Sequence, residues 1–134
     1  MARPGLPHDN EVREMDSIAI RTCRPSDLPD VQPLFDDLYA HQEHHEEEPL
    51  ADRMSEFFLV AEEGGQIVGF VIGQRRATVN LKDEMGKDAF PNDSEYLEVQ
   101  DVYVVPARRG RGLGTKLMKA LLDRARESGV TICV

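Results

Sequence analysis

The sequence predicts a single α/β (α+β) domain built on a mixed sheet. Three observations carry that prediction. A Gly-Gly turn between two apolar runs makes an antiparallel hairpin. A strand, helix and strand near the C-terminal end make a right-handed crossover, which places its two strands side by side and parallel. A length of 134 residues suits one domain rather than two. With 40% apolar and 31% charged residues, the composition is that of a folded globular chain and argues against disorder.

The elements follow in order. Residues 1–16 carry Pro4, Gly5, Pro7, Asp9 and Asn10 without periodicity and are expected to form a flexible tail, with the domain proper over 17–134. Ser17–Thr22 alternates as a short strand. Pro25, Ser26 and Asp27 open a helix. Asp27 is placed to cap it with Asp30, Pro29 is tolerable in the first turn, and Val31, Leu34, Phe35 and Leu38 form its apolar stripe. A polar stretch, His41–Pro49, leads to a second short helix over Pro49–Glu56. Phe57–Ala61 and Ile67–Gly73 pair through the turn Glu63–Gln66, where glycines tolerate positive φ. Gln74–Ser94 reads as a long polar connection or a partly ordered extension of the strands. Tyr96–Val105 is a strand whose apolar residues Leu97, Val99, Val102 and Val104 do not keep one alternation, which predicts a bulge near Gln100 and Asp101. Pro106 stops it. Arg108–Gly114 is a loop, Thr115–Glu127 a helix, Gly129 its C-cap, and Val130–Val134 a last apolar strand parallel to that of Leu97. No internal repeat occurs.

The charge is uneven. Sixteen basic against 25 acidic residues give a net −9, which disfavours nucleic acid or an anionic membrane surface as partner. Ten acids and one arginine lie between residues 36 and 63, whereas seven basic residues and one acid lie between 108 and 126. No apolar run reaches membrane-spanning length, so a cytoplasmic location is expected. Cys23 and Cys133 are the two cysteines and imply no disulfide framework.

The basic exception contains the informative segment, VYVVPARRGRGLGTK, from Val102 to Lys116. A strand runs into glycines at 110, 112 and 114 and then into a helix. Glycines let backbone N–H groups converge on one point, and the helix start adds unpaired N–H groups and the positive end of its dipole. Arg108, Arg109, Arg111 and Lys116 add charge. A diphosphate or similar polyanion is the expected ligand. A P-loop is a weak match because Thr115 precedes Lys116 and the glycine spacing differs. A dinucleotide fingerprint is a weak match because the pattern is GxGxG.

The stretch resembles the GNAT family of N-acetyltransferases, whose signature Q/R-x-x-G-x-G/A is met by Arg109, Gly110, Arg111, Gly112, Leu113 and Gly114. The order of elements from Ser17 also follows that family, closely at the motif and in outline over the first half. The resemblance implies a GNAT-like acyl-CoA N-acyltransferase fold, with a mixed, mostly antiparallel sheet and a splayed parallel pair. It implies acetyl-CoA as cofactor, its diphosphate on backbone N–H groups of Arg109, Gly110, Arg111, Gly112, Leu113, Gly114 and Thr115. The pantetheine arm would pair with the backbone of Val102, Tyr103 and Val104, and the N–H of Val104 would face the thioester carbonyl. The reaction would be direct acetyl transfer to a primary amine of a small molecule, polyamine, aminoglycoside or peptide. Glu98 is the candidate base and Asp101 the second; the bland alternatives are a solvent-facing strand residue and a bulge acid. A CoA-binding or acidic interaction module without turnover is the competing function.

Family members continue beyond the fifth strand, often with a tyrosine that protonates the thiolate, whereas this sequence stops at Val134. Truncation after the fifth strand, completion by a partner or a homodimer through the exposed C-terminal strand edge, and a compact cofactor-binding variant are the three explanations; the first needs least special pleading. His41, His44 and His45 have helical metal-ligand spacing but sit in a polar segment with no visible supporting shell, so no metal site is expected. The neighbouring glutamates Glu43, Glu46, Glu47 and Glu48 suit a cationic amine substrate as well as a plain acidic surface.

Overall fold

A computed structural model describes residues 17–40, 49–77 and 95–130, together with the backbone of 132–133. The expectations for the tail over residues 1–16, for the three histidines and for the connection over 78–94 lie outside the described residues. The element order is β1 (Ile18–Thr22), α1 (Leu28–Tyr39), β2 (Phe58–Glu63), β3 (Gln66–Ala77), β4 (Glu95–Val104), α2 (Leu113–Glu127) and β5 (Ile132–Cys133). Short 3-10 turns over Pro25–Asp27, Leu50–Arg53 and Pro106–Arg108 link them.

The five strands lie in sequence order across one sheet. The first three pairings are antiparallel, and β4 with β5 is parallel, Tyr96 facing Ile132 and Leu97 facing Cys133. This is the mixed, mostly antiparallel sheet expected. The β2–β3 connection is a two-residue turn, with Glu63 opposite Gln66 and both Gly64 and Gly65 at positive φ, 56° and 84°. That conformation belongs to the turns whose twist matches paired strands.

Helices cover both faces. Strand alternation sends Phe58, Val60, Phe70 and Ile72 towards α1, where they pack with Val31 and Phe35. Leu59, Ala61, Val71 and Leu97 go the other way, against Leu117 and Leu121 of α2. Burial on two faces explains why β2 and the first half of β3 read as continuous apolar runs.

Three local expectations are corrected. Asp27 does not cap α1 with Asp30; its carboxylate turns back to accept from the Arg24 N–H (2.7 Å) and from Arg21 (2.7 and 2.9 Å). This ties the 3-10 turn to β1 and pushes the Asp27 carboxyl down to about 2, the arginine hydrogen bond being the largest cause. The expected helix over Pro49–Glu56 is only the 3-10 turn Leu50–Arg53, held by the buried side chains of Leu50 and Arg53. Helix α2 begins at Leu113, two residues early, because burial of Leu113 in the core seats the first turn on the sheet.

Candidate active site

The site is organised by one irregularity in β4. Ile72 faces Asp101 and Gly73 faces Val99, so Gln100 is an extra residue on β4, the bulge that the broken apolar alternation predicts. Its consequence is chemical. In an unbroken strand Glu98 and Asp101 would point to opposite faces; the extra residue puts both on the α1 face.

Their surroundings differ. Asp101 is buried, its side chain 7% exposed, and both oxygens are committed: Oδ2 accepts from Arg53 Nη1 at 2.9 Å and Oδ1 from the Tyr39 hydroxyl. Burial, and next the bond to Asp101, push the Tyr39 phenol up to about 12, so Tyr39 stays a donor. Glu98 is about one third exposed. Its Oε1 meets Gln100 Nε2 at 3.0 Å and Arg76 Nε at 3.1 Å, and its Oε2 has no polar partner among the described residues. Gln100 also donates to Gln74 Oε1 at 3.1 Å, so the bulge side chain fixes the rim of this face.

On its other side β4 is open among the described residues. The parallel register with β5 covers Tyr96 and Leu97, and from Glu98 to Val104 no strand among the described residues lies there. Val105 donates to Val68 O across to β3 (2.9 Å), so alternation turns the N–H and C=O of Val104 and Val102 to the open side. The backbone groups of Tyr103 point to β3, and Tyr103 lines a pocket of about 390 Å³ with Asp37, Leu38, Val102, Val104 and Arg109. The Tyr103 hydroxyl donates to Asp37. Burial first, and that bond second, raise the Tyr103 phenol, while Arg109 opposes the rise.

The glycine loop closes the end of this groove. Gly110 and Gly112 hold φ values of 79° and 81°, and a Cβ at either would meet nothing within 4 Å. The space above them is therefore open to a ligand, while their backbone shape requires glycine. Gly112 is the N-cap of α2 with no side-chain cap, and the first helical bond is donated by Lys116 to Gly112 O (3.0 Å). The helix start thus presents its N–H groups uncapped beside Val104, whose Cγ2 lies 3.8 Å from a Cβ built on Gly114. Leu113 is buried and anchors the turn, while Thr115 is exposed. The basic residues are not equivalent. Arg108 is tied to Glu63 on the hairpin (Nε to Oε1, 3.0 Å) and holds that carboxyl below its ordinary range. Arg109 lies over the Tyr103 ring, 5.3 Å from its centroid. A cradle shaped by two positive-φ glycines, an uncapped helix start and an adjacent groove with outward backbone groups fits a diphosphate joined to an extended amide chain.

A family model settles the lineage. The acetyltransferase (GNAT) family model matches residues 25–134. The chain belongs to that family. Among curated GNAT relatives, the L-2,4-diaminobutyric acid acetyltransferase of Nocardia farcinica is 41% identical over 73 residues, 54% of this chain and 31% of that protein. The L-methionine sulfoximine/L-methionine sulfone acetyltransferase of Salmonella typhimurium is 36% identical over 76 residues, 57% of this chain and 37% of that protein. The chain spans about a third of the length of the curated relatives it matches. Among solved structures, a GNAT acetyltransferase of Brucella melitensis in complex with acetyl-CoA shares the fold at TM-score 0.64 and 23% identity, covering 87% of this chain and 73% of that one. An acetyltransferase of Vibrio fischeri does so at TM-score 0.67 and 20% identity, covering 84% and 90%. The expected fold class is therefore that of the GNAT family. No helix among the described residues is long and apolar enough to cross a membrane.

Three residues that bond to the candidate site's side chains escape a sequence reading: Tyr39 and Arg53, which reach Asp101, and Asp37, which reaches Tyr103. Arg53 carried the one available signal, as the single cation in a stretch of ten acids.

Proposed function

We propose that this chain carries the cofactor cradle and the base of an N-acetyltransferase that moves an acetyl group from acetyl-CoA to a primary amine. The observation that carries the proposal is the open cradle of Gly110 and Gly112 at the uncapped start of α2, beside the outward backbone of Val102 and Val104. The N–H groups from Arg109 through Thr115 hold the diphosphate, and the backbone of Val102 and Val104 holds the pantetheine arm. Acetyl-CoA, when bound, supplies an acetyl group activated as a thioester. Glu98 is the base. Its Oε2 is free to take a proton from the acceptor, either directly or through a water. Asp101 is the weaker candidate, because accepting a proton would break its bonds to Arg53 and Tyr39. Its role is to hold the bulge that aims Glu98.

The proposed acceptor is a small amine of amino-acid type. The curated relatives are named for such substrates. The partly exposed Arg76–Glu98 pair offers a cation and a carboxylate side by side, which is the pattern a zwitterion's two charges require. The test is thermal stabilisation by acetyl-CoA together with thiol release on a panel of amino acids, polyamines, aminoglycosides and peptides. Stabilisation and release with amino acids are expected. Stabilisation without release on any amine would leave a CoA-binding module, and no stabilisation would overturn both readings.

A further inference from the structure

We propose that Glu63, at the tip of the β2–β3 hairpin, is a positioning residue for the glycine loop, acting through Arg108. The loop needs order imposed from outside, because three of the five residues from Gly110 to Gly114 are glycines, whose backbone freedom opposes any one arrangement of N–H groups. Its exit is anchored by the buried Leu113. Its entry is anchored on the hairpin at two points. Ala61 faces Gly69 and Glu62 faces Ile67, so Val68 is an extra residue on β3, and its carbonyl accepts from the Val105 N–H at 2.9 Å. Glu63 holds the turn that follows. Arg108 Nε donates to Oε1 at 3.0 Å and to Oε2 at 3.3 Å, Nη2 donates to Oε1 as well, and the Glu63 side chain is only 18% exposed. The Arg108 N–H donates to Val105 O at 2.9 Å, so the turn from Val105 to Arg108 is tied to the hairpin at both ends, and Gly110 begins two residues later. A forked, charged bond of this kind fixes direction as well as distance. Charge alone assigns Glu63 the opposite role. A carboxylate near a polyanion site repels the ligand, so its removal would strengthen binding. For a brace, the same removal loosens the loop and weakens binding.

This role rests on the glycine loop being the CoA site, and the two fail separately. Dissociation constants for CoA are measured by calorimetry on the wild type, Glu63→Gln, Arg108→Gln and the double variant, with circular dichroism confirming folding. Glu63→Gln should bind CoA about three- to tenfold more weakly, although it removes a negative charge, the range being that of lost pre-organisation by one charged hydrogen-bonded pair. Added to Arg108→Gln, the same change should alter affinity less than about twofold, because the brace is already gone. In the free protein, amide hydrogen exchange at Arg108 should quicken about three- to tenfold in Glu63→Gln. Arg108→Lys keeps the charge and loses the fork, so it should weaken CoA in the same direction and decides the question if Glu63→Gln does not fold. CoA binding as tight as the wild type or tighter in Glu63→Gln, or independent effects of the two residues in the double variant, overturns the positioning role and leaves the CoA site standing. Failure of the wild type to bind CoA removes the site and the role together.

Discussion

Asp101→Asn should destabilise this protein far more than the replacement of one oxygen by an amide suggests. Arg53 and Asp101 are buried together, their side chains 8% and 7% exposed, and the guanidinium also lies 5.0 Å above the Phe35 ring. The asparagine can still accept one hydrogen bond, but it carries no charge, so the buried Arg53 guanidinium loses its ion pair with Asp101. Breaking such a pair costs about 3–5 kcal/mol; the lower end applies because one bond survives. At roughly 3 °C per kcal/mol for a chain of this size, the midpoint should fall by about 10 °C. Urea and thermal unfolding followed by circular dichroism measure both quantities. The double variant Arg53→Met with Asp101→Leu, which removes both charges, should recover part of the loss, since apolar replacement of a buried pair is close to neutral while the Tyr39 hydroxyl gives up its bond to Asp101. A loss below about 1 kcal/mol in Asp101→Asn, or a double variant worse than the single, would refute the reasoning.

Glu98→Gln should behave in the opposite way: acetyl transfer falling about 100- to 1,000-fold at pH 7 with a stability change under about 1 kcal/mol, since the Arg76 pair is partly exposed; steady-state thiol release and thermal unfolding give the two numbers. Asp27 supplies the acid limb of stability. Its folded carboxyl titrates at about 2, below the ordinary value, so its contribution is complete above pH about 4 and fades as the pH falls towards 2. Asp27→Asn should remove about 2 kcal/mol at pH 7 and flatten urea-derived stability across that window. Gly112→Ala should cost about 1–2 kcal/mol through its φ of 81° alone, since the added Cβ meets no atom; calorimetry should show CoA affinity reduced about tenfold or more, and an unchanged affinity would remove Gly112 from the cradle.

Local chemistry was legible in the sequence, and long-range chemistry was not. The Gly64-Gly65 hairpin, the bulge at Gln100 and the parallel return of β5 follow from turn residues, broken alternation and crossover handedness, all of which act within a few residues. The glycine cradle was readable for the same reason. The start of α2 was misplaced because burial of Leu113, a tertiary effect, outweighs the glycines on either side. Asp101 shows the limit most clearly. Its partners Tyr39 and Arg53 lie 62 and 48 residues away and reach it only because α1 and the Leu50–Arg53 turn pack across the same sheet face.

Amide-resolved NMR titration with CoA reads the main-chain amides of the loop after β4 directly. The largest shifts should fall on the N–H groups of Gly110 to Thr115, with a second group at Val102 and Val104. Saturable binding whose shifts cluster elsewhere, or none at all at the glycine loop, would contradict the CoA cradle.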